Sequence, residues 1–600
     1  MLDHKKFFET PWLICISAGI LILIFSGFFI TPTFIANQLS PDGILEENTL
    51  QEIYMVRFQV VISGLFAIIF GALIYIFPSM TNRFFDFVSR PYKTFLISPL
   101  GKRVQTRYFY LPFCFACFFI ALMLGLLFTQ SGTGISPDST QYIGAGENIY
   151  YGNGFYVGYS NGCGGPYTGF PPLYPLLIAA FMHFGFDAEQ AARLIPILCF
   201  AFLMFPLFFL VKSLTGVFTG YITCIMCLVF TPLLWVTSYA WSEMPYIFFS
   251  VLAILSLIKF DGNDKTKMLC ASGFFTALAI ITRYIGITLL FVGLIVIILK
   301  SKAQLKKMVC RLLLFGGISS FPLSIWMYRN LIVNSHLSGY TRFRSYNIGL
   351  FTSLISEFLI TIIKDFSIVI SSIIITSLIV LVVITIICPA KRTVLMEYLK
   401  ENYVIIMYIF IYLVTFSIIG LTWPFAIGTR YTAPICPFLI LLLISFISKI
   451  KKSSFKSALF LIIAILCVLF FVFQVGNTID FYQSAKDGLG SNAPFWKNNE
   501  GLGWIEDNVP DNATVYSNIA YQTQFKLKRP SKRIPYSSKN ETKLNEFFDK
   551  LKNEENSFII CFKTFRVNIT NEEFKEISKK YDILIVVADF PDSTIYKVKG

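Results

Sequence analysis

The sequence predicts a polytopic α-helical membrane protein that ends in a small α/β domain. Three observations predict it. Of 600 residues, 55% are hydrophobic and only 14% are charged, whereas soluble domains sit near a quarter charged. Apolar runs of roughly 17–25 residues recur along the chain, each long enough to cross ~30 Å of hydrocarbon. From about residue 495 the composition turns polar with mixed charge, and short helix and strand patterns replace the long apolar runs.

The expected spans are 11–31, 57–77, 108–128, 191–211, 217–236, 244–260, 268–283, 285–300, 312–329, 367–388, 403–422, 432–448 and 458–475, about thirteen in all. The first is too long for a signal-peptide core and lacks a small-residue cleavage site, so it reads as an anchor. The net charge of +15 collects in short loops: at His4, Lys5 and Lys6, in 82–107, at Lys212, and in 259–267, 300–311, 391–400 and 449–456. A cytoplasmic N-terminus followed by these spans keeps every one of those segments inside, as the positive-inside rule asks. The charge is therefore a topology signal and no sign of a nucleic-acid partner. Loops 32–56, 129–190, 237–243, 330–366 and 423–431, the turn near Arg283 and the tail from Gly476 then lie outside. Three regions result. Residues 1–107 hold two extra helices and a basic cytoplasmic loop. Residues 108–475 form the main transmembrane domain with outer loop 129–190. Residues 476–600 form an extracytoplasmic α/β domain.

Within the outer loop, 139–151 reads as a short helix with Asp138 or Ser139 near its N-cap. Segment 171–184, opened by Pro-Pro, reads as an amphipathic helix on the membrane surface. In the tail, 502–508, 543–553 and 571–580 read as helices, and 513–516, 557–562, 583–588 and 593–598 as strands. The tail shows no nucleophile–base pattern, phosphate loop or metal-ligand cluster. Its Asn-x-Thr sites at Asn512, Asn540 and Asn568 matter only in a eukaryotic secretory pathway.

Of 13 cysteines, the CxxC pairs Cys114/Cys117 and Cys224/Cys227 fall inside expected spans and read as small packing residues. Only Cys163 and Cys561 look exported, and nothing pairs them. His4, His183 and His336 are scattered, which speaks against a His-rich zinc site. The few exported cysteines and the Phe/Ile/Lys-rich composition point to a bacterial plasma (inner) membrane.

Charged groups at the outer mouths of spans are costly unless they have a task. Asp138 follows a span directly, and Glu243, in SYAWSEMPYIFF, opens another. For Asp138 the alternative is a helix N-cap; for Glu243 it is the favourable field of its own helix N-terminus. Glu147 reads as a solvated face. Arg193, Arg283, Arg329, Arg342, Arg344 and Arg430 lie outside against the positive-inside tendency. Arg283 and Arg430 are the strongest candidates to bind phosphate, because a planar guanidinium pairs two oxygens. Snorkelling or a structural ion pair is the alternative for each. Tyr142, Tyr284 and Tyr431 stand beside these groups.

Taken in order, PDSTQYIGAGENIYYGNGF, FPPLYPLLIAAF, AARLIPIL, WSEMPYIFF, the Leu-x-x-x-x-Arg-Tyr-x-Gly pattern at 278–286 and RYTAPICPFLILL resemble the GT-C membrane glycosyltransferases. Within that class the segments resemble the protein O-mannosyltransferase and aminoarabinose transferase group. The tail segment GWIEDNVPDNATVYSN is similar to the start of that group's periplasmic α/β domain. The resemblance implies a GT-C fold and transfer of a hexose or pentose from a polyprenyl-phosphate donor to an acceptor at the outer face. It implies a catalytic Asp in the first outer loop, which maps onto Asp138. It also implies a later acid that places a divalent metal ion or the acceptor, matched by Glu243, and arginines near the donor phosphate, matched by Arg283 and Arg430. The O-mannosyltransferases carry Asp-Glu in the first loop, whereas Ser139 follows Asp138 here, which argues against the strict protein-mannosylating subgroup. The two helices before residue 80 also precede the family's usual first span.

The chemistry agrees with the residues. A sugar on a lipid phosphate brings its own leaving group, so the enzyme needs one base for the acceptor and a positive group for the departing phosphate. A transporter or flippase of lipid-linked sugars would place ionisable groups within spans and show pseudo-repeats. An O-antigen ligase or polymerase would carry its large outer loop late in the chain. Neither pattern is present.

Overall fold

The computed structural model describes residues 98–599, apart from 159–164, 302–303, 338–357, 359–360, 363–364, 366–388, 423–427, 453–456, 536–540, 553, 555, 564–570 and 582. The expected spans 11–31, 57–77 and 367–388 lie outside the described residues, as do Arg342, Arg344, Cys163, Asn540 and Asn568.

The helices of the membrane region are α1 (Arg107–Phe128), α4 (Ala188–Thr215), α5 (Val217–Leu228), α6 (Thr231–Ser238), α7 (Glu243–Asn263), α8 (Thr266–Thr282), α9 (Ile287–Ser301), α10 (Leu305–Asn334), α11 (Pro389–Thr422), α12 (Cys436–Lys452) and α13 (Ser457–Ala485). Two further helices, α2 (Pro137–Tyr150) and α3 (Leu173–Met182), belong to loop 129–190, expected from the sequence to be the first outer loop. Among the described residues, 7 helices are long and apolar enough to cross a membrane, or 8 with the bent pair α5–α6. That pair occupies the expected span 217–236 but bends by 54° between its halves. Pro232 sits in the first turn of α6 and cannot donate the backbone hydrogen bond a continuous helix would need there. Gln474 of α13 makes up part of the deficit by accepting from the backbone N–H and hydroxyl of Thr231 at 3.3 Å each.

Helix packing explains the apolar sequence and its small residues. Phe200, Met204, Phe208, Cys224, Phe230, Ile247, Ile254 and Phe438 share one buried cluster. Cys114, Cys117, Cys224 and Cys227 are all buried free thiols in it. Gly125 lies directly on Ile197 and Gly220 on Phe208, so that a side chain at either would collide. Close approach at small residues is how helices gain packing energy in lipid.

The tail folds around a five-stranded sheet of order β2-β1-β3-β5-β4, built from β1 (Thr514–Ser517), β2 (Ser531–Arg533), β3 (Ser557–Phe562), β4 (Leu584–Asp589) and β5 (Ser593–Val598). β1 pairs parallel with β2 and β3, and β5 pairs antiparallel with β3 and β4. Every residue of β3 is buried, which suits a central strand covered on both faces. Phe558, Ile560 and Phe562 face Leu502 and Ile505 of helix α14 (Glu500–Asn508). Ile559 and Cys561 face Phe547, Phe548 and Phe574 of α16 (Glu541–Leu551) and α17 (Asn571–Tyr581). Helix α15 (Ala520–Leu527) and strand β2 lie outside the elements that the sequence pattern predicts. Both are short and polar, and β2 has only three residues on a sheet edge.

The tail is joined to the first outer loop. Ile135 bridges Gly490 in a short parallel pairing. Asn492 donates to the carbonyl of Thr133 at 2.9 Å, and Lys497 to that of Ser131 at 2.8 Å. Phe525 of α15 packs in one cluster with Tyr142 and Tyr174. Gly490 has φ +57°, and a Cβ there would lie 2.1 Å from the Ile135 carbonyl oxygen. Gly490→Ala should therefore lose ~1–3 kcal/mol from the left-handed backbone alone, with the collision in addition. The measurement is the thermal unfolding midpoint of the detergent-solubilised protein; an unchanged midpoint would contradict this junction.

Candidate active site

Two chain reversals meet at one end of the helical bundle. After α1, the backbone N–H of Gly134 donates to Ser238 O at 2.8 Å, and Ala240 N–H returns a bond to Gly134 O at 2.9 Å. This pairing runs the start of the first outer loop alongside the turn between α6 and α7. It requires glycine at 134, since a Cβ would lie 2.5 Å from the Tyr239 ring. Helix α2 follows at once. Ser136 is its N-cap and forms a reciprocal capping box with Ser139, and Pro137 stands in the first turn. Asp138 is thus inside the first turn, and the capping role belongs to Ser136.

Glu243 is the first residue of α7, and Arg283 follows the last residue of α8 in extended backbone (φ −148°). The two helices pack side by side, which places the start of one beside the end of the other. Arg283 Nη1 lies 2.5 Å from Glu243 Oε1 and donates to Ser242 Oγ at 3.2 Å. Arg430 comes from a single helical turn, Thr429–Thr432, ahead of α12. Its Nη1 meets Asp138 Oδ2 at 2.7 Å, and its Nε donates to Glu243 Oε1. One arginine thus joins both acids. Glu243 is fully buried, whereas the Asp138 side chain keeps 29% of its surface exposed. The second carboxylate oxygen of Glu243 is buried and has no hydrogen-bond partner among the described residues.

Tyr142, Arg283 and Glu243 are linked through Ser242, whose hydroxyl lies 3.3 Å from the Tyr142 hydroxyl. Burial, and then the charge of Asp138, hold the Tyr142 phenol well above its ordinary range, so it stays neutral. The Tyr431 ring lies 5.7 Å from the Arg430 guanidinium, and its carbonyl accepts from Tyr412 at 2.9 Å. Asp365 fixes the turn that carries Arg430, accepting from Thr429 Oγ1 at 2.8 Å and Thr432 Oγ1 at 2.5 Å.

The structure therefore brings Asp138, Glu243, Arg283, Arg430, Tyr142 and Tyr431 together. It sends the other candidates elsewhere. Arg193 donates to Thr129 Oγ1 at 2.8 Å and to Leu126 O at 3.3 Å, closing the end of α1. Arg329 donates to the carbonyls of Tyr167 at 2.6 Å and Phe155 at 3.0 Å, holding the outer loop against α10. Tyr284 accepts from Trp326 Nε1 at 3.0 Å. Ser136, Trp241, Ser242 and Asp365 also support the cluster and are not among the candidates the sequence offers. Trp241 and Ser242 directly precede Glu243, and Asp365 lies in the expected outer segment 330–366, so its acidic character was the available signal.

Residues 170–326 match the family model described as dolichyl-phosphate-mannose-protein mannosyltransferase. The match spans Glu243 and Arg283 but neither Asp138 nor Arg430. Among solved structures, ArnT from Cupriavidus metallidurans bound to undecaprenyl phosphate aligns with 82% of this chain and 98% of its own, with TM-score 0.55 and 13% identity. Its apo state aligns with 80% of this chain and 96% of its own, with the same score and identity. The chain has the GT-C fold. The Archaeoglobus fulgidus oligosaccharyltransferase in complex with Zn and sulfate aligns with 74% of this chain and 68% of its own, with TM-score 0.47 and 12% identity. No curated protein matches the chain by sequence.

In this GT-C chain the two acids of the site are engaged by guanidinium groups and, among the described residues, are not set out as ligands of a metal ion. Among the described residues no three His, Cys, Asp or Glu gather into a group that could hold one. Both carboxylates of the cluster bind guanidinium groups, so a divalent ion at Glu243 would sit against two positive charges.

Glu147 of α2, expected on a solvated face, is half-buried. Burial pushes its carboxyl up to about 7 from 4.5; Lys528 pulls it down and Asp187 pushes it further up. Between those values the folded chain binds more protons than the unfolded one, so stability falls as pH rises across the window. Glu147→Gln, neutral throughout, should show a smaller loss of thermal midpoint between pH 4.5 and pH 8 than the wild type. Parallel losses would show that the carboxylate is well solvated.

Proposed function

We propose that the chain is a glycosyltransferase that moves a hexosyl or pentosyl unit from a polyprenyl-phosphate donor to a hydroxyl or amine acceptor at the extracytoplasmic face of the plasma membrane. The GT-C fold and the mannosyltransferase family match support the class. The observation that carries the reading is the pairing of Asp138 with Arg430 at 2.7 Å, which puts a base and a phosphate-binding group side by side. The pair lies where the helix ends meet the outer loop, within reach of a donor whose lipid tail stays in the bilayer.

The two acids and two arginines sum to no net charge, so an entering phosphodiester must take a guanidinium from a carboxylate. Asp138 is the partner that can leave, because it reaches solvent while Glu243 is enclosed. Phosphate binding at Arg430 thus frees Asp138 to act as base. The acceptor oxygen or nitrogen forms its bond to the anomeric carbon as the bond from that carbon to the phosphate oxygen breaks. The bonding pair leaves on the phosphate, and Asp138 takes the acceptor proton. Arg430 and Arg283 stabilise the charge that grows on the leaving phosphate. A single displacement inverts the anomeric centre.

The test is turnover of Asp138→Asn in membrane vesicles supplied with a panel of undecaprenyl-phosphate hexoses and pentoses. A loss of roughly 10²–10⁴-fold is expected, with binding of undecaprenyl phosphate retained. Wild-type turnover at normal expression would sink the assignment.

A further inference from the structure

The Asp138–Arg430 pair lies against an uncharged side chain that cannot serve as a base, Trp241. Trp241 is 6% exposed and lies between the two halves of the site. On one face its ring stacks on Tyr239, with centroids 4.2 Å apart and planes 16° from parallel. The Arg430 guanidinium carbon lies 4.4 Å from its ring centroid. At its edge Nε1–H donates to Ser136 Oγ at 2.7 Å. Ser136 is the N-cap of the helix that carries Asp138. Tyr239 is in turn seated on Gly134, where a Cβ would lie within 2.5 Å of the ring. A stack therefore runs from the Gly134 backbone through Tyr239 and Trp241 to Arg430.

We infer that Trp241 is the positioning residue that sets the distance between base and phosphate binder. Its two contacts do different work. The ring holds the guanidinium, an attraction that strengthens when water is excluded. It leaves the N–H edges of the guanidinium free for oxyanions, because cation–π contact uses the face of the fork and not its rim. The indole N–H fixes the hydroxyl that caps α2, and so holds the first turn that bears Asp138. When phosphate takes Arg430, Asp138 is released without its helix coming loose, because that helix is anchored to Trp241 and not only to Arg430. The inference rests on the reading of this cluster as a donor-phosphate site.

Two substitutions separate the contacts. Trp241→Phe keeps an aromatic face under Arg430 and removes the N–H; Trp241→Leu removes both. The first probe is undecaprenyl phosphate, with its affinity for purified protein read by native mass spectrometry. The second is amide hydrogen exchange across 136–142. Trp241→Phe should bind the lipid phosphate within about twofold of wild type, yet exchange faster over 136–142. Trp241→Leu should show the faster exchange and an affinity lower by about tenfold. Ser136→Ala should reproduce the exchange effect alone, and Ser136→Thr should restore protection. Equal affinity of Trp241→Leu and wild type, or unchanged exchange in Trp241→Phe, would overturn the role of Trp241. Failure of the wild type to retain undecaprenyl phosphate would instead count against the donor reading, and the exchange series would still test the anchoring of α2.

Discussion

Arg430 is the constraint on which the site depends. A buried guanidinium must replace its water with carboxylates or other hydrogen-bond acceptors, and a buried carboxylate is costly unless donors or cations face it. Arg430 meets Asp138 through Nη1 and Glu243 through Nε, and Arg283 completes the neutralisation of Glu243. No member can be removed without stranding another charge. The interaction also fixes topology, because residues 138, 243 and 430 lie at the ends of different helices. For them to meet, α1, α7, α8 and the turn before α12 must finish at one level, where the first outer loop and the tail also sit.

That common level was legible in the sequence for a physical reason. Asp138, Glu243, Arg283 and Arg430 each place charge at an apolar boundary, and the two arginines also fall on the side that the loop charges assign as outer, where positive charge is disfavoured. The rule finds exceptions but cannot say what resolves them. Arg193 and Arg329 break it equally, and the structure resolves Arg193 with the Thr129 hydroxyl and the Leu126 carbonyl at the end of α1, and Arg329 chiefly with carbonyls of loop 129–190. A carbonyl is offered by every residue, so no residue type marks such a partner. Asp365 escaped notice because its task is to hold Thr429 and Thr432, two neutral side chains that carry no signal of their own.

Fold features divide in the same way. Long apolar runs announce helices, and the described helices lie where those runs predict them. The bend between α5 and α6 is written in Pro232, but whether proline kinks or breaks a span depends on what re-bonds the freed groups, here Gln474 from more than two hundred residues away. In the tail, the helices and strands with strong periodicity were readable. α15 and β2 were not, since tertiary contact with the outer loop and the sheet edge stabilises them rather than their own pattern.

The tail's contacts make it part of the site's support. Phe525 of α15 enters the same cluster as Tyr142, and the 488–492 segment zips against 133–135. Helix α2 is therefore held at its cap by Trp241, along its flank through Tyr142 and Ser242, and from outside by the tail. In the proposed mechanism Asp138 gives up its ion-pair partner when the donor binds, and such independent support would hold it in place. If Arg430 were the sole anchor of α2, phosphate binding would free Asp138 and displace it in the same event. The redundancy lets the electrostatic partner exchange while the geometry stays.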